Sequence, residues 1–172
     1  MTLGLFDNFP PNIQFIQSYN TITRSRQLQQ KLIQTLYEIN KKEFSFEEAA
    51  NPTIPECRII FEFGLADAEG FNYIDEDEVN KALIMLGGQH LDVLDFFCAV
   101  RYYRECGERK RALKFDYYLL RTLYNQDIFE IQVHHKKGLG YISPEDLSSF
   151  IFNKLNETSK RKILKKQPKS HI

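Results

Sequence analysis

Nowhere in this chain of 172 residues do roughly 18 apolar residues run together, so no segment is long enough to span a membrane as a helix. Its first 17 residues lack a basic start and carry Asp7 and two prolines, so they do not read as a secretory signal. Cysteine is scarce. The three present, Cys57, Cys98 and Cys106, are odd in number and have neither metal nor redox spacing. A disulfide framework is therefore not expected; a reducing, intracellular compartment is, with each thiol packed as a small hydrophobe. No Ser, Cys or Lys sits in a nucleophile motif, and no glycine-rich phosphate loop occurs, so an enzyme is not expected.

Charge is absent only on average. Residues 1–42 hold 5 basic and 2 acidic side chains, residues 43–95 hold 2 and 13, and residues 96–172 hold 16 and 8. The middle third is strongly acidic and the last third basic, so the two halves face partners with opposite fields. Residues 8–37 contain no acid at all, a trait shared with mitochondrial transit peptides. At 42% hydrophobic, the chain suits one domain or two small lobes.

What the chain does have is a repeat. Residues 59–83, IIFEFGLADAEGFNYIDEDEVNKAL, return near the end, with Ile60-Phe61-Glu62 falling on Ile128-Phe129-Glu130 and Tyr73-Ile74 on Tyr141-Ile142, each 68 positions later. The unit resembles an EF-hand, in which oxygen ligands occupy loop positions 1, 3, 5, 7, 9 and 12 and glycine position 6. In residues 67–78 the resemblance sets Asp67 at 1, Glu69 at 3, the Tyr73 carbonyl at 7, Asp75 at 9 and Glu78 at 12, with Phe71 at 5 and Asn72 at 6. In residues 135–146 the frame survives but His135, Lys137 and Leu139 replace the ligands. Two fainter loops, 37–48 and 106–117, match through Phe44-Ser45-Phe46-Glu47-Glu48 and Leu113-Lys114-Phe115-Asp116-Tyr117. The resemblance, shared with calmodulin and the myosin light chains, implies a mainly α fold. Two lobes of paired helix-loop-helix units, joined by short antiparallel β links, would occupy residues 21–88 and 89–156. Residues 1–20 would be a contact arm and 157–172 a basic tail.

Local patterns fill in this frame. Leu28, Leu32, Ile33 and Leu36 are spaced for an amphipathic helix over 21–39. Ser45 with Glu48, and Asp75 with Glu78, have capping-box spacing. Residues 57–66 and 76–86 are expected as a helix pair, stopped by Gly87-Gly88; helices are also expected around 91–103, 115–124 and 127–134. Ser143-Pro144-Glu145-Asp146 opens a further helix to about 155, with an N-cap serine, a first-turn proline and acids at the positive dipole end.

Chemistry then narrows to two sets of residues. Calcium, if held by Asp67, Glu69, Tyr73, Asp75 and Glu78, would bind weakly, on the order of 10⁻⁴ M or worse, because position 5 is lost. Capping by Asp75 and by Ser143 explains both copies of the repeat, whereas coordination explains one, so an empty loop is preferred and no other cofactor is expected. The His134-His135 pair lacks ligand partners at metal spacing. The resemblance also implies a groove gripping an amphipathic helix of a partner protein, with Leu83, Met85, Leu86, Phe96 and Phe97 in the first half and Leu119, Leu123, Phe150, Ile151 and Phe152 in the second. Fourteen Phe and nine Tyr exceed what two small lobes need, and only two Met suggests a groove tailored to one partner. The expected role is a non-catalytic, largely calcium-independent subunit of a larger assembly, in a cytoplasmic, cytoskeletal, ciliary or mitochondrial setting. A calcium sensor is the alternative. A third reading is a membrane or nucleic-acid binder working through Lys160, Arg161, Lys162, Lys165, Lys166 and Lys169, although the neutral overall charge and the acidic middle third argue against nucleic acid as the main ligand.

Overall fold

The computed structural model describes residues 3–51, 54–106, 109–159 and 162–167, with the side chains of 105–106 and 109–114 outside the description. Among these residues the strands are β1 (Phe15–Thr21), β2 (Glu43–Ser45), β3 (Cys57–Asp67), β4 (Gly70–Tyr73), β5 (Val93–Cys106), β6 (Arg109–Asn125), β7 (Ile128–Lys137) and β8 (Leu164–Lys166). Three α-helices accompany them: α1 (Ser25–Asn40), α2 (Glu76–Gly88) and α3 (Pro144–Glu157). All strands join one sheet in the order β2-β3-β5-β6-β7-β1-β8, with β4 on β3, and every ladder is antiparallel.

The mainly α, two-lobed EF-hand fold is therefore overturned, and the calmodulin-like resemblance with it. A period of two decided the outcome. Cys57, Ile59, Phe61, Phe63 and Leu65 alternate along β3 and are all buried; Leu94, Phe96, Cys98, Val100 and Tyr102 do the same along β5. Tyr118, Leu120, Thr122 and Tyr124 continue the row on β6, and Phe129, Ile131 and Val133 on β7. Each such apolar side chain contributes about 1.5–3 kcal/mol on burial, and helical geometry would have scattered them around a cylinder. Segments 57–66, 91–103, 115–124 and 127–134, expected as helices, are strands for this reason. Both Cys57 and Cys98 are buried free thiols in this row, and burial pushes them up from the ordinary range; the Cys106 side chain lies outside the description.

Helix α1 puts Leu28, Leu32, Ile33, Leu36 and Ile39 into the same core, and α3 adds Leu147, Phe150, Ile151 and Leu155. Phe150 stacks on Phe61 at 4.8 Å and meets Phe44 of β2 edge-on at 5.2 Å. Thr35 and Thr158 hydroxyls, 3.3 Å apart, bring α1 alongside the end of α3, while α2 packs mainly on α1. The helices thus cover one face, the inner one. Among the described residues no helix is long and apolar enough to cross a membrane.

The repeat survives as something other than a hand. In both copies a strand precedes a capped helix, through the β3–β4 hairpin in the first and a loop in the second: Asp75 accepts the Glu78 N–H at 2.9 Å ahead of α2, and Ser143 accepts the Asp146 N–H at 3.0 Å ahead of α3. Ile74 and Ile142, in corresponding places, are both buried. Ser45 and Glu48 do hydrogen-bond, at 2.7 Å from backbone N–H to carboxylate, yet start only a single 3-10 turn, Phe46–Glu48.

Residues 3–9, expected within a contact arm, wedge between the end of β3 and the start of β5 and lay the Phe6 and Phe9 rings on the outer face against Phe71 and Arg121, and Phe15–Thr21 is strand β1. Gly4 donates to the Ala66 carbonyl at 2.8 Å, and the Phe6 N–H donates to Asp95 Oδ2 at 2.9 Å. Asp95 is wholly buried under this strap and receives a two-pronged pair from Arg121, at 2.8 and 2.9 Å. The carboxylate holds the Arg121 guanidinium above its ordinary range, and the Phe9 ring lies 4.4 Å from that guanidinium. Arg121→Leu leaves Asp95 buried without its counter-charge; we expect a loss of about 3 kcal/mol in urea denaturation, and an unchanged midpoint would contradict the role given to this pair.

Candidate functional site

Two places on the fold concentrate polar or unfilled features. One is buried beneath the loop between β7 and α3. Asp116 of β6 points to the inner face and has no exposure, in a position where the row would otherwise be apolar. Its Oδ1 lies 2.9 Å from His135 Nε2 and accepts the Gly140 N–H at 2.7 Å; its Oδ2 accepts the Tyr102 hydroxyl at 2.6 Å and the Tyr141 N–H at 3.1 Å. The neighbouring Tyr118 hydroxyl donates to the Ile142 carbonyl. Burial, reinforced by the Asp116 charge, drives the Tyr102 and Tyr118 hydroxyls far above the ordinary phenol range, so both stay protonated and donate.

An aspartate beside a histidine invites a general-base reading. The geometry answers it: a carboxylate offers about four lone-pair directions, and here four donors occupy them. Asp116 itself has no direction left for a substrate proton, and toward His135 it acts as the acceptor that orients the ring. The cluster is a latch, stitching residues 138–142 onto β5, β6 and β7. Gly138 shows how close the loop comes. Its φ is +113°, and a Cβ there would lie 2.6 Å from the Phe115 carbonyl oxygen and closer still to the Asp116 carboxylate.

The second place is a groove of about 810 Å³ beside β8, running between that strand, β1 and the outward side of α3. Ile22, which is 64% exposed, and Phe152 supply apolar surface, while Lys162, Lys165 and Lys166 line it with positive charge. Three residues of this basic set come from the tail read in the sequence; Lys160, Arg161 and Lys169 fall outside the described residues. β8 is the last strand on its side of the sheet. Its edge is partly closed, because the Asn156 side chain of α3 accepts the Ile163 and Leu164 N–H groups, both at 3.0 Å, and donates to the Leu164 carbonyl at 3.2 Å.

The residues singled out from the sequence are dispersed. Asp67 ends β3 and Glu69 lies in the tight turn to β4, while Asp75 caps α2. Glu78 accepts from the Asn72 amide at 3.4 Å, and Tyr73, half exposed, reaches the Asn40 carbonyl at 3.5 Å. Among the described residues no group of three or more His, Cys, Asp or Glu is arranged to hold a metal. Of the ten expected partner contacts, Leu86, Phe96, Leu119, Phe150 and Ile151 are buried, and Leu83 and Met85 are half-buried against the core. Phe97 and Leu123 are half-buried on the outer face, and Phe152 alone of the ten lines the groove. His134 meets the Asn12 carbonyl at 2.8 Å, so the histidine pair serves two different contacts. Asp116 and Ile22 were missed. The spacing of His135, Gly138 and Gly140 was the available signal for a tight loop near a polar partner.

No protein-family model, curated protein or solved structure matches the chain.

Gly138→Ala should cost more than about 1 kcal/mol, since alanine both strains that φ and meets the latch; a thermal midpoint equal to that of the parent chain would remove the latch from the account.

Proposed function

We propose that this chain is a non-catalytic accessory subunit that takes an amphipathic helix of a partner protein into the groove beside β8. One observation carries the reading: an unfilled groove of about 810 Å³ combines apolar surface from Ile22 and Phe152 with a row of lysines. An exposed isoleucine in a concave, basic setting gains from a partner that brings apolar side chains flanked by acids.

The form of that partner segment follows from Asn156. A strand adding to β8 would need the outward Leu164 N–H and C=O, and both are held by the Asn156 amide. A helix satisfies its own backbone and offers side chains alone, which suits an edge partly closed at Leu164. Catalysis has no place in the proposal, which rests on the groove and takes Asp116, with its four donors, as the acceptor that ties down residues 138–142. Calcium has none either, with Asp75 committed to capping α2.

The test uses a photo-crosslinking residue in place of the exposed Asn153, at the groove lip, with and without Ile22→Glu. A single discrete adduct that is lost in Ile22→Glu, while circular dichroism is unchanged, is the expected result. The same adduct in both chains, or none in either, would overturn the proposal. Ile22 is mostly exposed, so its replacement spares the core.

A further inference from the structure

The outer face of the sheet offers a second surface, independent of the groove. Sequence position hides its character; strand register reveals it. On β6, Phe115 and Tyr117 both point outward, and Phe97 of β5 lies beside Tyr117. The rings form one line, with Tyr117 5.0 Å from Phe115 and 5.3 Å from Phe97, and Phe71 of β4 extends it at 5.6 Å. Phe115 is 45% exposed. All three helices are committed to the inner core; residues 3–14 cover part of the outer face, with Phe6 packed on Phe71 at 4.8 Å and Asn12 and Gln14 bonded to β7, and leave the Phe115 end of the ring line uncovered among the described residues.

Register also sorts the charge. Arg101 faces Phe115 across the β5·β6 ladder, and Lys137 faces Tyr117 across the β6·β7 ladder. Arg101 is partly neutralised by Glu62 at 3.0 Å; Lys136 and Lys137 of β7 are exposed, whereas Arg104 pairs with Cys57 and belongs to the inner face. Beyond them β5 and β6 continue as a ribbon, with residues 104–106 paired to 109–111, which brings the positions of Arg109, Lys110 and Arg111 to the same end, together with that of Glu105, the partner of Lys110. The acids Asp67, Glu69 and Asp92 fall at the opposite ends of the strands. A chain neutral overall thus presents a basic end holding a line of rings.

We propose that this face binds single-stranded nucleic acid, its bases stacking on Phe115 and Tyr117 and its phosphates running along Lys136 and Lys137. Rings on an open sheet face with cations at the margin are the chemistry that a flexible polyanion with planar bases requires, and stacking is tolerant of sequence. This departs from the expectation drawn from neutral overall charge and an acidic middle third; strand register, which sequence order does not give, is what sets the cations beside the rings, and the groove reading above is unaffected by the outcome here.

Fluorescence anisotropy of the full chain with labelled twelve-nucleotide oligo-dT and oligo-U tests it. Binding at about 50 mM salt should weaken at least tenfold by about 200 mM. Phe115→Ala with Tyr117→Ala should weaken it by a further factor of about ten or more, with the circular dichroism spectrum unchanged. Lys137→Ala should lower the salt slope by about one. Lys165→Ala with Lys166→Ala, at the groove, should leave it unaltered. No oligonucleotide binding at low salt, equal binding by the ring variant, loss confined to the Lys165 and Lys166 variant, or binding only to vesicles of phosphatidylcholine and phosphatidylserine would each overturn the proposal.

Discussion

The ring of Phe61 lies between Phe63 at 5.8 Å and Phe150 at 4.8 Å, both nearly parallel to it. That stack joins β3, from the acidic part of the chain, to α3, from the basic part. Phe44 closes its open side, and the Lys154 ammonium sits 5.1 Å from the Phe44 ring. Losing an aromatic of this kind costs about 3–5 kcal/mol, a large share of the stability of a domain of this size. The inner row of the sheet is covered chiefly by α1 and α3, with α2, the Phe46–Glu48 turn and Ile142 completing the core, so the helices lie on this side and the opposite face is left to short segments or to partners.

Much of the remaining structure follows from that asymmetry. An inner face closed by helices tolerates a buried polar group only if it is fully bonded, and Asp116 with its four donors meets that condition. An outer face without helices needs its one wholly buried charge, Asp95, to be covered by the strap and paired with Arg121. Where α3 ends, the sheet outlasts its cover, and the groove beside β8 is the resulting gap. Binding surfaces therefore appear where the fold runs out of its own elements: at a sheet edge and on an open sheet face.

Elements with local chemistry were legible in the sequence. Helix α1 showed its period through Leu28, Leu32, Ile33 and Leu36; α2 and α3 showed their starts through Asp75 and Ser143-Pro144, and the structure keeps all three. The strands were hidden because residues such as Ile60 and Phe97 put apolar side chains on the outer face as well, which blurs alternation into a continuous apolar run. The repeat then supplied the wrong frame, since an acidic or glycine-bearing turn followed by a capped helix punctuates a preceding strand as readily as a preceding helix. Asp116 could not be found by spacing: its partners Tyr102, His135, Gly140 and Tyr141 come from separate segments. The groove residues Ile22 and Lys165 are likewise 143 positions apart and meet only through the β1·β8 ladder.

The central claim is that both halves of the chain form one cooperative sheet with a shared core, in place of two lobes. Native-state hydrogen exchange of the intact protein addresses it most directly. Amides of β3, β5, β6 and β7 should share one opening free energy equal to that of global unfolding, with those of α3 close behind. Two separate protected sets, one confined to residues 21–88 and the other to 89–156, would contradict it.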